Sequence, residues 1–99
     1  MEDKKIIELY FARSETALVE TEKKYGKLIL FLIGKLLYNK LDIEECSNDT
    51  YMGVWTTIPP KLPVNFKAYV LKIARNLSLK KYEYNHAAKR DVNKCIPYE

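Results

Sequence analysis

The stretch DIEECSNDTYMGVWTTIPPKLPVNFKAYVLKIARNL, residues 42–77, decides the fold. Apolar residues recur at spacings of three and four in both its first and its last third, which is typical of amphipathic helices. Pro59, Pro60 and Pro63 lie between the two patterns, and each proline removes a backbone donor and restricts the residue before it. We therefore predict two helices joined by a stiff loop.

The first helix of this pair is predicted to begin at Asp42, because Glu45 follows three positions later in a capping-box arrangement. No Lys or Arg occurs between Leu41 and Pro60. The predicted inward stripe consists of Ile43, Cys46, Ser47, Thr50, Tyr51, Val54, Trp55 and Ile58. The opposite side shows Glu44, Glu45, Asn48, Asp49 and Met52, and it is a solvated charged face or a docking surface for a cationic partner.

The second helix is predicted to begin after Asn65, whose side chain can cap it. Its inward positions are Phe66, Tyr69, Val70, Ile73, Ala74 and Leu77. Its outer faces carry Lys67, Lys72, Arg75, Asn76, Lys80 and Lys81. The helical pattern fades beyond about Tyr84.

Two further helices are predicted upstream. Apolar spacing from Ser14 to Asn39 indicates a helix of roughly 25 residues with Ser14 as its N-cap, and Ile6 to Phe11 indicates a shorter one. We find no convincing strand in the sequence. The predicted fold is all-α, a compact bundle of three main helices plus a short N-terminal helix, with residues 1–90 as the domain and 91–99 as the start of an interdomain linker or tail.

The 99 residues fit a single domain and carry a formal net charge of +4. This charge is unevenly distributed, because residues 1–59 hold 8 basic and 10 acidic side chains whereas residues 60–99 hold 9 basic and 3 acidic. A basic half of this kind suggests a polyanionic partner, and an acidic half suggests a second and different contact.

Several classes of function are excluded by the residues that are missing. The two cysteines, Cys46 and Cys95, are far apart and His86 is the single histidine, so we expect no metal site. There is no phosphate-binding glycine loop and no nucleophile elbow, so we predict no catalytic residue, no cofactor and no enzyme activity. The N-terminus lacks the pattern of a secretory signal and no apolar stretch approaches 20 residues. We expect a cytoplasmic, soluble protein without membrane insertion.

Cations alternate with aromatic residues from Pro59 to Arg90. Because cations neutralise phosphates and aromatic faces stack on bases, this pattern fits binding to single-stranded nucleic acid. The simpler interpretation, in which Phe66 and Tyr69 belong to the core and the lysines only solubilise the helix, stays open at this point.

The run from Asp42 to Trp55 resembles region two of bacterial sigma factors of the extracytoplasmic-function (ECF) class. The run FKAYVLKIARNL, residues 66–77, is similar to the next segment of that class, and Tyr25-Gly26 matches it upstream. The resemblance spans about residues 6–90. Each short motif is weak alone, but their order and spacing make the combination specific.

The resemblance implies a domain that binds RNA polymerase core and recognises and melts the −10 promoter element. In the family the acidic helix docks on the clamp helices of the β′ subunit. The matching positions here are Asp42, Glu44, Glu45, Asn48, Asp49 and Met52.

The resemblance also implies that the loop from Ile58 to Asn65 and the helix after it hold the single-stranded non-template strand of the −10 element. Asn76 matches the family's pocket asparagine, and an amide can read the polar edge of a base. The predicted DNA-binding residues are Lys61, Asn65, Lys67, Tyr69, Lys72, Arg75, Asn76, Lys80 and Lys81. An anti-sigma factor is a further candidate partner.

The sequence departs from the family at a few points. Asn48 replaces the more common Gln, and Glu83 stands where relatives often carry Arg. The family's second domain is absent, so we expect an excised domain or a truncated protein. The alternatives are a helical protein-interaction module, sigma-like but without DNA function, and a bundle that binds double-stranded DNA.

Overall fold

Four helices make up the described part of the chain in this computed structural model, which covers the backbone of residues 1–95 and the side chains of residues 1–87. They are α1 (Asp3–Phe11), α2 (Thr16–Gly34), α3 (Lys40–Thr57) and α4 (Phe66–Cys95), with no strand among these residues. The predicted all-α bundle of three main helices plus a short N-terminal helix is confirmed. The domain boundary at residue 90 stays a prediction, and residues 96–99 lie outside the described part.

The core forms where all four helices face one another, and its side chains are the ones that the periodicity selects. Ile29 and Ile33 of α2, Val54 of α3, and Val70 and Ala74 of α4 are fully buried. The predicted inward stripes of α3 and α4 are confirmed, since every member is buried or half-buried. Burying an aliphatic side chain of this size contributes about 1.5–3 kcal/mol, so these stripes hold the bundle together.

Helix α2 is shorter than predicted, because it ends at Gly34 and not at Asn39. The chain turns there, which lets Leu37 enter the core at 3% exposure and leaves Asn39 free to cap α3. The N-terminal prediction is shifted as well. Glu15 occupies the N-cap position of α2, while the Ser14 hydroxyl accepts a hydrogen bond from the Thr16 amide at 3.3 Å.

The prediction that Asp42 caps α3 is wrong. The cap is Asn39, whose side-chain oxygen accepts hydrogen bonds from the amides of Leu41 at 2.8 Å and Asp42 at 3.3 Å. An Asn cap satisfies donors that the first helical turn leaves without partners. The cap of α3 therefore lies three residues earlier than predicted, and the Asp42 carboxylate is available for contacts elsewhere.

The entry into α4 is as predicted, because Asn65 accepts a hydrogen bond from the Ala68 amide at 3.0 Å. The segment between α3 and α4, residues 58–65, contains no helix or strand. We call this segment the proline loop. Ile58 is fully buried and anchors its beginning, whereas Val64 near its end is fully exposed.

Polar contacts at two places attach α1 to α2. The buried hydroxyls of Tyr10 and Thr21 lie 2.6 Å apart. At the other end of α1, Asp3 accepts hydrogen bonds from the Tyr25 hydroxyl at 2.7 Å and from the Lys24 ammonium at 2.7 Å. Burial acts to raise the pKa of Asp3, but these hydrogen bonds outweigh it and hold that pKa below its usual value of 3.8.

Replacing Gly53 by Ala is expected to destabilise the protein, whereas Gly34→Ala is expected to stabilise it. A Cβ at Gly53 would lie 3.1 Å from Cγ2 of Ile73 in α4, whereas nothing lies within 4 Å of a Cβ at Gly34. Overpacking costs about 1–3 kcal/mol and exceeds the helix-propensity gain of about 1 kcal/mol at Gly53. Urea unfolding of both variants measures this, and stabilisation by Gly53→Ala would contradict the close packing of α3 on α4.

The contribution of Asp3 to stability is expected to depend on pH. Its folded-state pKa is lowered, so the contribution is present above the unfolded value of 3.8 and is lost as the pH falls through the folded-state pKa. The urea midpoint of Asp3→Asn should therefore lie below that of the wild type at pH 7, and the gap should narrow below pH 3.8. A gap that is constant with pH would mean that the carboxylate charge has no role.

Candidate nucleic-acid and protein interface

One side of α3 forms an exposed acidic surface. Each member lies three or four residues from another member, and all are solvent-exposed: Glu44, Glu45, Asn48, Asp49 and Met52. We call this set the acidic face. Met52 is 51% exposed and adds an apolar contact area at its end. Five of the six predicted polymerase-binding residues thus share one surface.

The sixth, Asp42, lies where α3 meets α4 and is held by residues of α4. Asn85 donates a hydrogen bond from its amide to one carboxylate oxygen of Asp42 at 3.0 Å. The Lys81 ammonium lies 3.7 Å from the other oxygen and 3.1 Å from a carboxylate oxygen of Glu45. The structure therefore groups Asp42 with α4 at the edge of the acidic face.

Lys81 is the predicted DNA-binding residue that the structure brings to the acidic face. The hydrogen bond to Glu45 outweighs desolvation and raises the pKa of Lys81, so its ammonium group stays protonated at neutral pH. Among the side chains of residues 1–87, no ion pair involves Glu44 or Asp49. The negative charge of these two carboxylates is therefore directed to solvent.

The other predicted DNA-binding residues of α4 lie on its outer surface. Lys72, Asn76 and Lys80 are exposed and four residues apart, so they form one row along the helix. We call them the α4 row. Lys67 and Arg75, also exposed, belong to the neighbouring row. The Asn76 amide thus lies between two cations, and Glu83, exposed one turn beyond Lys80, brings a negative charge to the end of the row.

Lys61 and Asn65 place two more predicted DNA-binding residues on the proline loop, and both are exposed. Because the side-chain oxygen of Asn65 caps α4, only its amide nitrogen is left to donate to a ligand. The apolar side chains of Leu62 and Val64 are 69% and 106% exposed. They border a groove between this loop and α1 that is also lined by Ile7 and Phe11.

Tyr69 has a structural contact. Its ring is half-buried against the core, and its hydroxyl lies 2.6 Å from the Thr57 hydroxyl, to which it donates. This hydrogen bond ties the first turns of α4 to the last turn of α3. The core interpretation of Tyr69 is thereby supported, and its contact with a nucleic acid stays a prediction.

Trp55 and Tyr51 of α3 are half-buried against the core, and Cys46 is buried within it. Burial raises the pKa of Tyr51 to about 12, and the nearby Glu22 acts in the same direction. Burial also raises the pKa of the Cys46 thiol, as do Asp49 and Glu45. Both groups stay protonated at neutral pH, which fits the interpretation of Cys46 as a small buried apolar residue.

Arg13, in the turn between α1 and α2, was not selected by the sequence. Its guanidinium donates from Nη1 to the carbonyl oxygens of Trp55 at 2.8 Å and Ile58 at 2.9 Å. It also lies over the Trp55 ring, 3.7 Å from the centroid. Periodicity cannot detect this contact, because its partners are 42 and 45 residues away. In the sequence, the indication of this contact is that Arg13 is a single basic residue directly before Ser14, the predicted N-cap.

No helix in the described part of the chain is long and apolar enough to cross a membrane. The described residues also contain no group of three or more His, Cys, Asp or Glu side chains that could hold a metal ion.

Comparison with known protein families identifies the family of this chain. The Sigma-70 region 2 family matches residues 23–87, which is well over half of the chain and includes the acidic face, the proline loop and the α4 row. No curated protein and no solved structure matches the chain significantly. The chain belongs to the Sigma-70 region 2 family and has a non-enzymatic role in transcription initiation with RNA polymerase.

Proposed function

We propose that this domain is of the ECF type, that it binds the β′ clamp helices of RNA polymerase through the acidic face, and that it recognises and melts the −10 promoter element. The observation that carries the proposal is that the acidic face and the α4 row lie on two helices packed against each other, with the proline loop between them. One rigid unit can then hold a protein and a DNA strand on neighbouring surfaces, which meet where Glu45, Asp49 and Lys80 line one pocket. We propose that it acts in the cytoplasm, and an anti-sigma factor stays a predicted partner.

The charge of the acidic face supports a cationic protein partner. Helix α3 has no basic residue after Lys40, and Glu44 and Asp49 are exposed without an ion pair among the described side chains. Complementary charges at an interface speed up association and disfavour wrong partners more than they add affinity. Asp42 contributes indirectly, because its carboxylate is held by Asn85 and Lys81.

The α4 row supports the DNA contact. A side-chain amide can donate to and accept from the edge of a base, and Lys72 and Lys80 on either side of Asn76 can neutralise phosphates. Together with the neighbouring row, the cations of α4 extend over about 20 Å of the helix from Lys67 to Lys80, at 1.5 Å per residue. Binding of the extruded strand would offset an unstacking cost of a few kcal/mol, so melting requires no catalytic group.

A protein-interaction module without DNA function is the second candidate. Three observations favour it: Lys81 is paired with carboxylates, the Tyr69 hydroxyl is engaged by Thr57, and Glu83 ends the α4 row with a negative charge. This module would keep polymerase binding and lose affinity for single-stranded DNA. The third candidate, a double-stranded DNA-binding bundle, would bind duplex more tightly than bubble DNA.

The double variant Glu44→Gln/Asp49→Asn is expected to bind a β′ clamp-helix fragment about tenfold more weakly, equivalent to about 1.4 kcal/mol. The loss of affinity should appear mainly as a slower association rate, and it should be smaller at high salt. Surface plasmon resonance at two salt concentrations measures both effects. Glu15→Gln, an exposed carboxylate at the start of α2, is the matched control and should leave binding unchanged. Wild-type protein that fails to bind the fragment would refute the polymerase contact.

Asn76→Ala and Lys80→Ala are expected to weaken binding to single-stranded −10 oligonucleotides in different ways. Loss of a base-reading amide costs about 1–3 kcal/mol and leaves the salt dependence unchanged. Loss of one phosphate contact makes the negative slope of log K against log salt less steep by about 0.7 for a single strand. Fluorescence anisotropy titrations measure both, with Lys23→Ala, an exposed cation of α2, as the control.

Binding that is equally strong in Asn76→Ala, Lys80→Ala and the wild type would favour the protein-interaction module. Tighter binding of the wild type to duplex than to bubble DNA would favour the third candidate.

A further inference from the structure

Arg13 adopts a backbone conformation that normally favours glycine. It has a φ of 56° and is the only described residue other than glycine with positive φ. The Arg13 amide bonds to the Tyr10 carbonyl and the Ser14 amide to the Leu9 carbonyl, both at 2.9 Å, which is the Schellman pattern that ends a helix. A side chain at this position is less favourable than glycine, because its Cβ crowds the backbone in the left-handed region. An arginine here therefore calls for a compensating contact.

The compensating contact lies at the end of α3. The last four carbonyls of a helix have no partner within it, and the C-terminal end carries a partial negative charge. Arg13 donates to the carbonyl oxygens of Trp55 in the last turn and of Ile58 just after it, and it covers the Trp55 ring. A single planar guanidinium thus holds three groups together.

This contact fixes the start of the proline loop. Ile58 is the loop's first residue, and the Arg13 guanidinium holds its carbonyl while its side chain is fully buried. At the far end, Asn65 caps α4. Residues 59–64 therefore run between two anchored ends.

We infer that Arg13 is a positioning residue for nucleic-acid binding: it sets the proline loop so that the loop, together with the α4 row, can hold an unpaired DNA strand. The inference rests on the proposed function. Arg13 acts through the backbone carbonyls of Trp55 and Ile58 and does not itself contact the strand. The planar guanidinium is needed, because its Nη1 donates to both carbonyls while its flat face covers the Trp55 ring, and an ammonium has no flat face.

The test compares Arg13→Lys and Arg13→Gly with the wild type and with Lys23→Met as a control for loss of surface charge. Arg13→Lys keeps the positive charge but replaces the planar guanidinium with an ammonium group. Arg13→Gly loses the side chain but relieves the positive φ, so its fold is protected while the contact is removed. For each protein, three quantities are measured: affinity for a single-stranded −10 oligonucleotide, the salt slope of that affinity, and affinity for the β′ clamp-helix fragment.

We expect both Arg13 variants to bind the single strand about tenfold more weakly, which is the lower end of what the loss of a charge-assisted hydrogen bond gives. The salt slope and the affinity for the β′ fragment should stay at wild-type values, because neither a phosphate contact nor the acidic face is altered. Lys23→Met should retain wild-type affinity for the strand.

Three results would overturn the inference while leaving the proposed function intact. Wild-type affinity in both variants would show that the loop does not need Arg13. Full rescue by Arg13→Lys, with a slope lowered by about 0.7 in Arg13→Gly, would show a direct phosphate contact. Equal losses for strand and β′ fragment would show a general structural role. Failure of the wild type to bind the strand would refute the proposed DNA function, and this inference with it.

Discussion

The antiparallel packing of α3 on α4 is the constraint on which the rest of the structure depends. Contacts between the two helices progress in opposite directions along them, from the start of α3 to its end: Asp42 with Asn85, Glu45 with Lys81, Cys46 with Leu77, Gly53 with Ile73, and Thr57 with Tyr69. Ionic contacts hold one end of the pair, a close approach at a glycine sets the middle, and a hydroxyl pair holds the end next to the proline loop. This register determines how the acidic face and the α4 row are oriented relative to each other.

The fold could be predicted from the sequence because it depends mainly on which residues face inward. Periodicity selects Val54, Val70 and Ala74 correctly, since the helix has a fixed angle per residue and any partner will bury the same stripe. The Asn65 cap was also predictable, because capping is local. The end of α2 was not, since it depends on Leu37 reaching a core position that only the tertiary structure creates.

The sequence predicts on which face of a helix each candidate residue lies, but it does not predict which residues that side chain contacts. Sequence spacing assigns Lys81 to a basic surface, yet the side chain lies on the line where α4 meets α3 and is paired with Glu45. The partners of Arg13 and Asp42 are about 40 or more residues away in sequence, so no local pattern could identify them. Which residues of a helix are exposed follows from its own sequence, whereas which charges meet follows from the register between helices.

Because α3 has a low intrinsic helix propensity, its exposed surface forms only when the bundle is folded. Residues 46–51, CSNDTY, are all weak helix formers, and Gly53 follows closely. Isolated helices of this length are marginal in water even with better residues, so α3 gains its helicity by packing on α4 and α2. A synthetic peptide of residues 40–57 would therefore be mostly unfolded and a poor mimic of the intact surface. The carboxylates become an ordered array only as part of the folded bundle, which makes folding itself a requirement for recognition.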